Sequence, residues 1–308
     1  MDEKSRGQLA DLIINLRATP FGDEEVIAGL KSGSLTKLSR DKAIQTEIYR
    51  SLEEHERAFI RALAVGRGAH RALLTGFSAA RIHGMWVAGQ CRAPVELGLK
   101  KTPPRSQWNP GTVYRRLDLP DDRIVSIGGV RTPRLFRIFA EIARHHGFPN
   151  ALVAADWLRR QGMDLHSMRE EAELLGRFPG IEVVDRAIEH SIHNSDSALE
   201  PYARGILIEE RLPVQGQALL CDGSYRTDLL IGTTTVVEID GDEKYFGKHG
   251  PTSHVLVDEK KRENRIRNTG KSVLRYGADD LFNHRDRFVR EVRADYERHL
   301  KCDSAQRP

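Results

Sequence analysis

Apolar residues recur at helical spacing through much of the first 90 positions. Leu9, Leu12, Ile13 and Leu16 lie three or four apart, the period of one helix face. Gly22-Asp23-Glu24-Glu25 supplies the acidic first turn that helix starts favour, for a helix to about Leu30 that Ser32-Gly33-Ser34 interrupts. A longer helical stretch is predicted over about Arg40 to Val65, and Ser78 is placed to cap a helix through AARIHGMW. From Pro94 the period shortens to two. Val95–Leu99, Val113–Leu117 and Ile124–Ile127 read as neighbouring strands, with Gly128-Gly129 as a turn. Residues 132–195 return to the helical period in four segments. Gly147, Gly162 and Gly176 stand where helix C-termini take a residue that accepts positive φ.

His193-Asn194-Ser195-Asp196 reads as a joint. Ser197-Ala198-Leu199-Glu200 fits a capping box opening a helix to about Glu210. Strands are expected at Val214–Leu220, Arg226–Ile231, Thr234–Ile239 and Ser272–Tyr276, with helices over about Leu256–Asn268 and Ala278–Leu300. That order, α-β-β-β-α-β-α, predicts a mixed sheet with helices packed against it, and the whole chain reads as α+β.

The 308 residues suit two domains or one large one. Lys plus Arg is 48 against 44 Asp plus Glu, an excess compatible with a polyanionic partner but too small to demand one. No run of about 18 apolar residues is present, so no membrane partner is expected. The start, MDEKSRGQLADLII, lacks the apolar core of a secretory signal. Cys91, Cys221 and Cys302 are too far apart for a CxxC zinc site or a disulfide framework, and a cytoplasmic protein is expected. Neither H-E-x-x-H nor a phosphate-binding G-x-x-x-x-G-K-[ST] occurs.

The chemistry concentrates in Tyr225–Gly241. Asp228 interrupts a β-forming run, and ten positions later Glu238 and Asp240 flank Ile239. Alternation puts Glu238 and Asp240 on one face, roughly 6–7 Å apart, and a hairpin would bring Asp228 to them. Two readings stay open on these residues alone. The acids face solvent on the wet side of an antiparallel sheet, or a hard divalent cation such as Mg²⁺ neutralises them. Over 258–268, five cations (Lys260, Lys261, Arg262, Arg265, Arg267) face three acids. That helix is either a phosphate-binding surface or a solvated helix with i,i+4 pairs.

Several short motifs then occur in one order across about 80 residues. They are Ser197-x-x-Glu200, Pro213-x-Gln215, Arg226-x-Asp228-Leu229, Val237-Glu238-x-Asp240-Gly241, Lys244-Tyr245, Glu259-Lys260-x-Arg262-Glu263, Arg267-x-x-Gly270 and Val273-x-Arg275. Together they resemble the PD-(D/E)xK nuclease superfamily, in its branch related to very-short-patch repair endonucleases. The resemblance implies a restriction-endonuclease-like domain. In it Asp228 and Glu238 bind Mg²⁺ or Mn²⁺ with help from Glu200. Asp240 stands where the family usually has lysine. Lys244 takes the role of catalytic cation, with Lys260 as the alternative. Lys260, Lys261, Arg262 and Arg265 would contact nucleic acid, and Gln215 would orient the site.

Near the N-terminus, residues 22–40 resemble the recognition helix and turn of AbiEi-type antitoxin regulators. Ser78-Ala79-Ala80-x-x-His83-Gly84 and Gly128-Gly129-x-Arg131-Thr132-Pro133 resemble that family's middle region. This implies a winged-helix-like, DNA-binding region over 1–65, an α/β middle region over 66–193 and the endonuclease-like domain over 194–308. Lys31, Lys37, Arg40 and Lys42 would touch the DNA backbone; a small helical domain for protein contact is the alternative. His83 is expected to be packed or capping, Tyr276 to be packing, and Cys221 to be structural. The function expected is a metal-dependent DNA endonuclease or nickase. The alternatives are a non-catalytic DNA-binding regulator or antitoxin on a nuclease scaffold, and an adaptor in a defence system. The partner is DNA, with a second copy of the chain or a defence-system protein as further options.

Overall fold

Two stretches of the chain fold as separate compact units, Met1–His145 and His146–Pro308. The computed structural model describes residues 1–18, 24–240 and 269–305. Their architecture is mixed α+β with several small sheets.

In the first unit α1 (Glu3–Asp11) starts at Asp2, whose carboxylate accepts the Ser5 N–H at 2.7 Å. A three-stranded antiparallel sheet, order β1-β3-β2, joins β1 (Ile14–Asn15), β2 (Leu35–Lys37) and β3 (Lys42–Gln45), with α2 (Glu24–Ser32) between the first two. The helix expected from Arg40 is therefore displaced. Ala43 and Ile44 are fully buried between partner strands, and pairing on both sides outweighs their helical spacing. Helix begins only afterwards, as α3 (Thr46–Ser51) and α4 (Glu54–Gly68), with Leu52 extended between them.

A second sheet, order β4-β5-β6, holds β4 (Leu73–Leu74), β5 (Val95–Leu99) and β6 (Thr112–Arg116). Helix α5 (Gly76–His83) starts at Thr75 rather than Ser78. The buried Glu96 carboxylate accepts the Phe77 N–H at 2.8 Å, and Ser78 Oγ turns back to accept the Glu96 N–H. Gly76 has φ +51, and a Cβ there would lie 2.3 Å from the Glu96 carboxylate, so the helix start needs glycine for space as well as angle. The strand at Ile124–Ile127 (β7) joins neither sheet. Among the described residues it pairs with β8 (Val130–Pro133) alone, through Gly128-Gly129 at φ +58 and +81.

Helical backbone over α6 (Leu135–Arg160) is broken at Gly147, φ +77 and ψ 177. The second unit then continues through α7 (Leu165–Leu175), α8 (Ile181–His190) and α9 (Leu199–Glu209) into a four-stranded sheet. Its order is β12-β11-β10-β9, from β9 (Val214–Leu220), β10 (Tyr225–Ile231), β11 (Thr235–Ile239) and β12 (Ser272–Tyr276). The first three strands run antiparallel and β11–β12 is parallel. The sheet is thus mixed, as the element order predicts. The final helix divides into α10 (Ala278–Phe282) and α11 (Arg285–Ala305). Leu229, Ile231, Val237 and Ile239 pack with Ile206 of α9 and with Phe288 and Val292 of α11. Leu230 and Val236 point the other way, into a smaller cluster with Ala218 and Leu220.

Among the described residues no helix is long and apolar enough to cross a membrane.

Candidate functional site

Strand register decides which acids can meet. Leu229 pairs with Val237 and Leu230 with Val236, so one step further along the same antiparallel ladder Asp228 stands opposite Glu238. On the other flank Thr227 pairs with Ala218 and Leu229 with Gly216, which places Asp228 opposite Gln217. Asp228 Oδ2 accepts the Ile239 N–H at 2.7 Å. The carboxylate therefore sits where β10 and β11 part. Glu238 pairs in register with Arg275 on β12, and Asp240 donates its N–H to the Tyr276 carbonyl at 2.9 Å. Both acids are half-buried.

Glu200 comes to the same place from α9. Glu200 is 4% exposed, and two donors hold its carboxylate, the Asp196 N–H at 3.1 Å and Gln217 Nε2 at 2.5 Å. The capping box takes a shifted form: the residue preceding α9 is Ala198, and Glu200 reaches back to Asp196. Burial pushes the Glu200 carboxyl above its ordinary range, and the Asp228 charge adds to the rise. The Asp228 charge, from a different element, therefore adds to the cost of ionising Glu200.

The backbone at this point is irregular. Gln217 has φ +53 within a strand, a conformation that costs an L residue on the order of 1–2 kcal/mol. Alternation also fails here. Val214, Ala218 and Leu220 have the same parity, yet Val214 packs into the α9–α11 core while the other two join the opposite cluster. On β10, Leu229 and Tyr225 divide in the same way. The β9–β10 ribbon changes face at Gln217 and Asp228, and Thr227 Oγ1 donates to the Leu229 carbonyl of its own strand across the break.

Gln215 is exposed on β9 opposite Leu230. The glutamine that touches Glu200 is Gln217, two residues on, which the sequence reading did not single out. Its only sequence signal is adjacency to Gly216. A Cβ at Gly216 would lie 2.7 Å from Arg204 Nη1 and 2.8 Å from Ile192 Cδ1, so a side chain there would have to displace one of these two groups.

Arg204, one turn after Glu200 on α9, carries a second unforeseen cluster. It is 2% exposed, and its Nη2 donates to both oxygens of the fully buried Asp156, at 2.8 and 2.9 Å, and to the His190 carbonyl. Asp156 also accepts the Ile192 N–H at 2.9 Å and the Ser195 hydroxyl at 2.5 Å. This cluster fixes residues 191–196, from which the Asp196 N–H reaches Glu200.

Neither a known family model nor a curated protein matches the chain. The site must be read from its own atoms.

Among the described residues, no three His, Cys, Asp or Glu side chains come together as a ready-made metal site. The donor set is instead the Glu200–Asp228 pair with the Gln217 amide, whose Oε1 is buried without a hydrogen-bond partner. Two carboxylates and an orphaned amide oxygen are the donor types that a hard divalent cation takes, so these residues fit one. Lys244, Lys260, Lys261, Arg262 and Arg265 lie outside the described residues.

The remaining expectations resolve individually. Lys42, expected on DNA, is buried with its Nζ 3.2 Å from Asp41 and 3.0 Å from Asn15 Oδ1, so it turns inward, away from any backbone contact. Lys31, Lys37 and Arg40 are exposed. His83 Nε2 meets Thr132 Oγ1 at 2.7 Å, and burial lowers its pKa to about 4, which makes it a packed residue. Tyr276 is buried edge-on against Phe288, 4.8 Å between centroids, with its hydroxyl on Glu291. It packs and presents no open face for stacking.

Proposed function

We propose that residues 194–308 form a PD-(D/E)xK-type domain that hydrolyses DNA phosphodiester bonds as an endonuclease or nickase with Mg²⁺ or Mn²⁺. A winged-helix-like region over 1–65 and an AbiEi-like region over 66–193 would locate the DNA. The observation that carries this reading is the meeting of Glu200 and Asp228, from a helix and a strand 28 positions apart, with Glu238 opposite Asp228 on the next strand. The mixed sheet with its parallel last pair, flanked by α9, also supports it.

Glu200, Asp228 and Glu238 would hold the cation. Bound there, it would polarise a phosphoryl oxygen and lower the pKa of a water. The chain's own contributions are of three kinds. The Asp228 carboxylate is oriented by the Ile239 N–H. Glu200 is oriented by Gln217 and the Asp196 amide. Lys244 is assigned to stabilise charge on the phosphoryl group, and Asp240 to the same catalytic set. Lys260, Lys261, Arg262 and Arg265 are assigned to the DNA backbone.

The test is plasmid nicking in Mg²⁺ or Mn²⁺, wild type beside Asp228→Ala. Nicking by the wild type alone supports the reading. No nicking with either ion sinks it.

A second reading has its own support. Glu200 already has two hydrogen-bond donors, and no three metal-binding side chains converge among the described residues. A non-catalytic DNA-binding regulator on the same scaffold would bind DNA with strong salt dependence and never cut it.

A further inference from the structure

We propose that Gln217 supplies a neutral oxygen ligand to a divalent cation held at the Glu200–Asp228 pair, an assignment that rests on the metal-dependent reading above. Three observations converge on this amide. Its Nε2 donates to Glu200 Oε2, which fixes the group against that carboxylate. The side chain is 7% exposed, and its Oε1 is buried with no hydrogen-bond partner. Buried polar atoms in folded proteins almost always have a partner, so an orphaned oxygen on the amide that bonds Glu200, across the ladder from Asp228, needs an explanation. A cation supplies one. It would satisfy the oxygen and relieve the repulsion between Glu200 and Asp228, and hard cations accept amide oxygens alongside carboxylates.

The backbone gives the third observation. Gln217 adopts φ +53 and leaves its place in the ladder empty between Gly216↔Leu229 and Ala218↔Thr227, directly opposite Asp228. A residue needed only for pairing would stay in the β region. Strain of this kind persists where the surrounding structure imposes it, and it clusters at functional sites. Here the left-handed turn delivers the amide to the Glu200 side of the sheet, whereas its neighbours Gln215 and Leu219 are exposed. A neutral ligand adds no further negative charge where a phosphate must approach.

The experiment is Mn²⁺ titration of the full chain, followed by the electron paramagnetic resonance signal of free ion, with a melting curve for each protein. Wild type, Asp228→Ala, Gln217→Gly and Gln217→Met are compared. Glycine accepts positive φ, so Gln217→Gly removes the amide while relieving the backbone. Gln217→Met keeps the volume and the strain and removes only the polar atoms. The expected result is binding by wild type, loss in Asp228→Ala, and about ten- to hundredfold weaker binding in both Gln217 variants, with no fall in melting temperature for Gln217→Gly. Wild-type affinity in either Gln217 variant, while Asp228→Ala has lost it, removes Gln217 from the cation and leaves the nuclease reading standing. A wild type that binds no Mn²⁺ at millimolar concentration removes both.

Discussion

Truncating Asp156 to alanine gives the most direct check on how the second unit is held. The substitution strips the Ile192 N–H, the Ser195 hydroxyl and the Arg204 guanidinium of a shared acceptor. It leaves a guanidinium that is 2% exposed with the His190 carbonyl as its remaining partner. Breaking one side of a buried pair in this way costs about 3–5 kcal/mol. For a unit of this size each kcal/mol moves the melting temperature by about 2–4 °C, so a fall of roughly 6–20 °C is expected. Calorimetry of wild type and Asp156→Ala reads it directly. The pair as a whole is a different matter. Burial pushes the Asp156 carboxyl above its ordinary range despite the Arg204 charge beside it, so desolvation consumes much of the attraction. Asp156→Leu combined with Arg204→Met should therefore recover more than half of the loss. A single variant within about 1 kcal/mol of wild type, or a double variant no better than the single, would refute the assignment.

Three further outcomes follow from the same geometry. His83 has its pKa lowered from 6.5 to about 4 by burial; its unfolded form therefore takes up protons first, so its stability contribution is intact above pH 6.5 and lost as pH falls toward 4. A loss of about 1–2 kcal/mol between pH 7 and 5, reduced in His83→Gln, is expected in urea titrations, and an equal loss in both proteins refutes it. Gly232 has φ +58, and a Cβ there would lie 2.5 Å from the Tyr296 ring; Gly232→Ala should destabilise by about 1–3 kcal/mol, and Tyr296→Leu in the same chain should restore part of that. Asp295 is buried and accepts from Thr235 Oγ1 at 2.8 Å and from the Ser272 hydroxyl; Asp295→Ala should cost about 2–4 kcal/mol and raise amide exchange at the start of β12.

The strands of the second unit were legible because their residues alternate and their turns carry glycine. The expected strands Arg226–Ile231 and Thr234–Ile239 lie within one residue of the observed bounds, Tyr225–Ile231 and Thr235–Ile239. That a hairpin would bring Asp228 toward Glu238 and Asp240 was also legible, although its register was not. Three further things could not be read. Strands β1 to β3 are two to four residues long, too short for a period to show, so Ala43 and Ile44 passed as helical. The Gln217 backbone leaves no trace in composition, since glutamine is seldom left-handed. Asp156 and Arg204 are 48 positions apart on segments that each look like ordinary amphipathic helix, and only the fold brings them together.

Parallel pairing of β11 with β12 fixes when this domain can close during synthesis. Residues 240–271 must leave the ribosome before β12 can dock, and α11 emerges later still. Until then Leu229, Ile231 and Val237 lack Phe288 and Val292 as cover. A nascent chain paused near residue 240 therefore offers proteases and chaperones an open apolar sheet, and truncation anywhere before α11 should yield insoluble product rather than a smaller working domain.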